Sequence, residues 1–258
     1  SLYGIRPWLK LYPDWMPHDL KLSSTTALDL FRTSAHQQPQ TPAVYYFDQE
    51  ISYREIDQQS DSLAVALSKL EVDKGDRVVL ILQNVPQFLI AQYATWKVGA
   101  ILVPLNPMFK EKELTYYLKD SEAKALIILD EVLSSLDRSF LKQTSIETII
   151  TTSSLDMLPS GIEPPRLLER VKKISFPGTF DLIELLRRYW GKEAKDPGLS
   201  PDDVAYLTYT SGTTGPPKGA MNTHGNLVFN ARVYKASVRM DESDVVLGVA
   251  PLFHVTGE

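Results

Sequence analysis

Between residues 77 and 152 the chain alternates short apolar runs with amphipathic stretches. RVVLIL at 77–82, AILVPL at 100–105 and ALIIL at 125–129 are strand-sized and nearly free of polar residues, and ETIIT at 147–151 follows. Such runs are the pattern of strands buried on both faces. Between them the period changes to that of helices. In YREIDQQSDSLAVALSKL, residues 53–70, Ile56, Leu63, Leu67 and Leu70 fall on one stripe. Pro86 suits the first turn of a helix running to about Val98, and Gly99 is placed to end it. KEKELTYYLKDS, residues 110–121, predicts a third helix, and a weaker one lies between 130 and 146. Ahead of all these, AVYYF and ISY around a polar DQE predict a hairpin over 43–53.

Strands separated by helices pair in parallel, because each crossover must carry the chain back to the same end of the sheet. The predicted fold class is therefore α/β, a doubly wound and mostly parallel sheet flanked by helices, with the beginning of a second α/β subdomain. Residues 1–152 form the first subdomain in this reading. Residues 153–201, punctuated by Pro159, Pro164, Pro165, Pro177, Pro197 and Pro201, form a connecting region. It is expected to hold short amphipathic helices at RLLERVKKI and FDLIELLRRYW and no strand. Regular structure returns in 202–258 with a strand DVAYLTYT, a loop SGTTGPPKG, a strand GAMNT, a helix HGNLVFNARVYKA capped by Thr223, and a strand in DVVLGVAPLFHVTGE.

Composition narrows the function more than the fold. With 43% hydrophobic and 23% charged residues, the 258-residue chain has the make-up of an ordinary globular protein. Its net charge of -5 provides no global field for nucleic acid, so phosphate must be held by a local site. Nucleic acid is not an expected partner. Cysteine is absent, which removes disulfides, thiolate metal sites and a cysteine nucleophile. The start lacks the apolar core of a signal peptide and no run is long enough to span a bilayer, so a cytoplasmic location is expected. FDLIELLRRYW leaves open a peripheral membrane contact, against the plainer reading that it packs on its own domain.

The candidate chemistry sits in YTSGTTGPPKG, residues 209–219. Gly212 and Gly215 allow close approach of backbone N–H groups, Thr210, Ser211, Thr213 and Thr214 supply hydroxyl donors, and Lys218 adds a positive charge. Such a loop suits the many acceptor oxygens of a polyphosphate, although a Ser/Thr/Gly turn between strands is also an ordinary solvated loop. A Walker A loop is excluded, since Pro217 precedes Lys218 and Gly219 follows it where that motif has Gly-Lys-Ser/Thr opening a helix.

The full string resembles the signature loop of the adenylate-forming superfamily of acyl-CoA synthetases, luciferases and peptide-synthetase adenylation domains. PLFHVTG at 251–257 resembles that family's next motif, and ISYREIDQQSDSLAVAL, KGDRVVLILQN, WKVGAILVPLNPMFKEKEL and YYLKDSEAKALI look like its landmarks in order. RPWLKLYPDWMP resembles the start of fatty acyl-CoA ligases. The resemblance implies an acid-thiol ligase that joins a fatty acid to AMP with ATP and Mg²⁺ and then passes the acyl group to CoA. It implies that Thr210, Ser211, Gly212, Thr213, Thr214, Gly215 and Lys218 hold ATP, that Thr210 contributes to Mg²⁺, and that Lys218 and His254 act in catalysis. Phe253 and His254 would meet the carboxylic acid. Tyr45, Tyr46, Tyr116 and Tyr117 are read as core or helix-face aromatics. The family's later glutamate, aspartate and lysine would lie beyond Glu258, so the 258 residues alone are expected to fold without completing the reaction. Adenylation of an amino or aryl acid for a carrier protein, a non-catalytic nucleotide- or partner-binding homologue, and a homodimer of the full-length protein all remain open.

Overall fold

The computed structural model describes residues 2–159, 161–210 and 215–254. A single turn, α1 (Leu2–Ile5), and a 3-10 segment over Pro7–Leu11 precede α2 (Ala27–Gln37), the hairpin of β1 (Pro42–Tyr46) and β2 (Gln49–Ser52), and α3 (Tyr53–Lys69). Helices α2 and α3 both start at capping boxes. Thr26 with Asp29, and Ser52 with Glu55, exchange hydroxyl and carboxylate acceptors for two backbone amides that the helix leaves unpaired. The chain continues through β3 (Arg77–Ile81), α4 (Pro86–Lys97), β4 (Ile101–Pro104), α5 (Glu111–Asp120), β5 (Ala125–Leu129), α6 (Asp130–Ser134), a 3-10 segment over Arg138–Gln143, and β6 (Thr148–Thr152). Gly99 closes α4 at a φ of 78°, and a Cβ there would come within 2.9 Å of the Lys74 side chain. The position therefore excludes side chains on two counts.

These strands build one mostly parallel sheet. With β7 (Phe180–Asp181), β8 (Val204–Tyr209) and β9 (Gly219–Thr223), its order is β7-β6-β5-β3-β4-β8-β9, and β8–β9 is the antiparallel pair. Strand alternation divides the core between two faces. Val78 and Leu80 of β3 pack with Leu63 and Leu67 of α3 and Phe88 and Ala91 of α4, whereas Val79 and Ile81 pack with Leu114 and Leu118 of α5 and Leu133 of α6. Helices on both faces are what a doubly wound parallel sheet requires. The boundary drawn at 201–202 falls between neighbours in this sheet, since β8 meets β4 in register at Tyr206 and Leu102.

Three expectations are corrected. The connecting region contains a strand, β7, which pairs in parallel with β6 over two residues and leads into α7 (Leu182–Arg188). A strand that short carries too little periodicity to be read from sequence. RLLERVKKI forms turns rather than a helix; only Leu168 of that stretch is buried, so its apolar residues have little packing to stabilise helical turns. Residues 244–254, expected as a strand, are irregular. Among the described residues no strand pairs with them, and Val245, Val246, Leu247 and Val249 are 65–81% exposed. A strand without a neighbour has no partners for its backbone groups.

Helix α4 ties the layers together. Trp96 Nε1 donates to the Ala205 carbonyl of β8 at 3.1 Å, and the Tyr206 hydroxyl donates to Gln92 at 2.6 Å. Lys97, 2% exposed, is paired with Asp57 at 2.7 Å and Asp61 at 3.0 Å, one turn apart on α3. The last helix, α8 (His224–Val238), begins at Thr223, whose hydroxyl accepts from the Asn226 amide, as expected.

His224 lies under that cap, fully buried, with its ring 5.2 Å from Trp96 and neither ring nitrogen hydrogen-bonded among the described residues. Burial pushes its pKa down to about 4. The unfolded chain therefore takes up a proton near pH 6.5 that the folded chain refuses until about pH 4. Stability contributed by the neutral ring is complete above pH 6.5 and is lost as the pH falls through that window. In urea unfolding of wild type and His224→Gln, the wild type should lose about 2–3 kcal/mol more than the variant between pH 7 and pH 4. Equal losses would mean that the ring is not held neutral by burial.

Candidate active site

The signature loop leaves the sheet at the carboxyl end of β8 and returns at the start of β9. Ser211, Gly212, Thr213 and Thr214 lie outside the described residues, so the structure reports the neck of the loop. There the Thr210 amide donates to the Lys218 carbonyl at 3.0 Å, continuing the β8–β9 ladder by one pair. The exposed Thr210 hydroxyl has one protein contact among the described residues, that same carbonyl at 3.4 Å. The Thr210 oxygen keeps lone pairs that suit a cation, and its hydrogen can turn from this long bond to a phosphate oxygen. The Lys218 side chain is exposed and forms no ion pair among the described residues. Gly215 is exposed too. Gly219 has a packing reason to be glycine: a Cβ there would sit 2.7 Å from Leu207 Cδ1, so the two strands could not approach as they do.

Two tyrosines flank the neck. Tyr209, the last residue of β8, donates its hydroxyl to Asp120 Oδ2 at 2.6 Å, and Tyr116 donates to the Pro217 carbonyl at 2.7 Å. Burial, followed by the bond to Asp120, raises the Tyr209 pKa, which keeps the hydroxyl a donor. The ring of Tyr209 meets Tyr117 edge-on at 4.7 Å. Tyr117 is a buried core aromatic, as expected from sequence, while Tyr116 also has a polar role that its helical position alone did not signal.

The second candidate group is reached from β3. Asn84, just past that strand, donates its amide nitrogen to the carbonyls of Gly248 at 2.9 Å and Ala250 at 2.8 Å, and its Oδ1 accepts from the Leu252 amide at 2.9 Å. This clamp seats Phe253 half-buried against the core and leaves His254 exposed in a turn closed by its amide to the Pro251 carbonyl at 3.0 Å. Sequence reading placed Asn84 in a scaffold landmark and missed this role. Thr210 and Lys218 are brought together at the β8–β9 neck. Phe253 and His254 are gathered at the carboxyl end of β3, separated from that neck in the sheet by β4. Both groups therefore lie at the sheet edge where parallel α/β proteins hold ligands.

Other clefts lie elsewhere. A polar one of about 540 Å³, lined by Thr151, Asp156, Lys173, Asp181 and Arg187, sits at the β6–β7 edge, opposite the loop. Lys173 bridges Asp156 and Asp181 there, each at 2.7 Å, which fastens 171–181 to the sheet. No helix among the described residues is long and apolar enough to cross a membrane.

A parallel α/β sheet with a hydroxyl- and glycine-rich loop between β8 and β9 defines the class. The chain belongs to the AMP-binding enzyme family, which matches residues 31–258. It is 33% identical to a long-chain-fatty-acid–CoA ligase of Bacillus subtilis, over 98% of this chain and 46% of that protein. It is 28% identical to the Escherichia coli ligase of the same name, over 96% of this chain and 46% of that protein. The structure superposes on a long-chain-fatty-acid-CoA ligase of Archaeoglobus fulgidus with a TM-score of 0.76 and 26% identity, covering 95% of this chain and 46% of the other. The anthranilate CoA ligase AuaEII, solved with anthranoyl-AMP, gives 0.76 and 25%, covering 91% and 42%. The chain thus spans less than half the length of these relatives.

Proposed function

We propose that the full-length protein activates a fatty acid with ATP and transfers the acyl group to CoA. The observation that carries this reading is the neck of the 209–219 loop, zipped by Thr210 and Lys218 at the carboxyl edge of a parallel sheet. The resemblance to fatty acyl-CoA ligases over nearly the whole chain supports it. In the reaction a carboxylate oxygen attacks the α-phosphorus of ATP, pyrophosphate leaves, and the CoA thiol then displaces AMP from the acyl adenylate. The chain's contribution is to bind and orient. The hydroxyls of Thr210, Ser211, Thr213 and Thr214 and the amides at Gly212 and Gly215 donate to phosphate oxygens. Lys218 offsets their charge, and Thr210 offers an oxygen to Mg²⁺. Phe253 and His254 face the acid end of the site in this reading. The supply of ATP and CoA favours the cytoplasm, and a chain without cysteine is compatible with its reducing conditions.

An aryl acid is the second reading, favoured by the equal superposition on the anthranilate ligase. Pyrophosphate release by the full-length protein across a panel of carboxylic acids separates the two. Turnover with acids of eight or more carbons at least tenfold above that with benzoate or anthranilate is expected. Equal or better activity with aryl or amino acids would overturn the fatty-acid assignment.

A further inference from the structure

We propose that α5 is the positioning clamp of the signature loop, with Tyr116 and Asp120 holding its two stems from one helix face. The proposal rests on the reading of 209–219 as the nucleotide loop. Residues 116 and 120 are one turn apart and project from the same side of α5. One bond reaches the outgoing stem, Tyr209 to Asp120 at 2.6 Å, and the other reaches the returning stem, Tyr116 to the Pro217 carbonyl at 2.7 Å. Between them the Thr210–Lys218 bond closes the neck. Two separate tethers from one rigid element fix a neck in both position and orientation, which a single contact would not.

The sheet leaves this task to α5. Strand β8 meets its parallel neighbour β4 in register at Leu102 and Tyr206, and β4 ends two residues later at Pro104, which has no N–H to donate. On the other side is β9, itself part of the loop's return. The last residues of β8 therefore need support from outside the sheet. Helix α5 can give it because Leu114, Tyr117 and Leu118 anchor it to the same core face as Val79, Ile81 and Val103. The Tyr117 ring stacks on Phe109 at 5.0 Å and meets Tyr209 edge-on, so the tethers start from a packed aromatic cluster.

The test uses Tyr116→Phe and Asp120→Ala in the full-length protein, with Asp120→Asn as the conservative control because it keeps an acceptor. Hydrogen exchange of the peptide spanning 209–219, measured without nucleotide, should be about three- to tenfold faster in the first two variants and near wild type in the third. Exchange in β3 and α4 should be unchanged. The KM for ATP should rise by a similar factor, with little change in melting temperature. Wild-type exchange in 209–219, or a lower melting temperature with unchanged KM for ATP, would overturn the clamp. If the wild-type protein shows no ATP-dependent turnover, the nucleotide reading fails, and with it the clamp's part in catalysis; unaltered exchange beside normal turnover sinks the clamp alone.

Discussion

In the full-length protein, replacing Thr213 and Thr214 together by alanine is expected to cut pyrophosphate release at limiting ATP about ten- to hundredfold while leaving the melting temperature unchanged. In the proposed role each hydroxyl would be a neutral donor to phosphate, worth roughly 0.5–1.5 kcal/mol net, and the two together span that range of rate. Most of the loss should appear where nucleotide binding limits the rate. The melting temperature is expected to hold because the described contacts at the neck, through Tyr209, Thr210, Pro217 and Lys218, are untouched by the substitutions. Steady-state kinetics with ATP varied, beside thermal unfolding, checks both halves. Wild-type turnover at limiting ATP would reduce the hydroxyls to loop solvation.

The largest effect on stability is expected at Lys97, far from the loop. Its ammonium is buried between Asp57 and Asp61, and the nearby Phe31 ring lies 5.9 Å away. Lys97→Ala removes the cation that pairs with both Asp57 and Asp61 and leaves a hole between α3 and α4. Breaking a buried pair from one side costs about 3–5 kcal/mol, and partial exposure of the two aspartates lowers this to about 2–4. For a domain of this size that is a fall in melting temperature of about 5–15 °C. Lys97→Met combined with Asp57→Asn and Asp61→Asn should recover most of it, since an uncharged, filled site needs no counter-ion. A single variant as stable as wild type would show that the triad contributes nothing.

What could be read from sequence divides along physical lines. The parallel strands were legible because burial on both faces leaves unbroken apolar runs, and β3, β4, β5 and β6 start and end within one or two residues of expectation. Caps and terminators were legible too, as at Thr223 and Gly99, since they act through local backbone chemistry. The lack of a strand at 244–254 was not, because a strand depends on a neighbour, and apolar pattern alone says nothing of whether one is present. At the candidate site, the loop stood out through its hydroxyls, glycines and lysine, which suit a polyphosphate. Its supports did not. Asn84 and Gly248 are 164 residues apart, and Tyr116 and Pro217 are 101 apart. An asparagine after a strand and a tyrosine on a helix are both common, and only the fold shows what they reach.

The proposed role of the 209–219 loop is to hold ATP while an acyl adenylate forms. It is tested most directly by incubating the full-length protein with Mg-ATP and a long-chain fatty acid, without CoA, and resolving the products by mass spectrometry. Acyl-AMP and pyrophosphate are expected, with AMP and acyl-CoA appearing once CoA is added. ADP and phosphate in their place, or no nucleotide product at all, would contradict it.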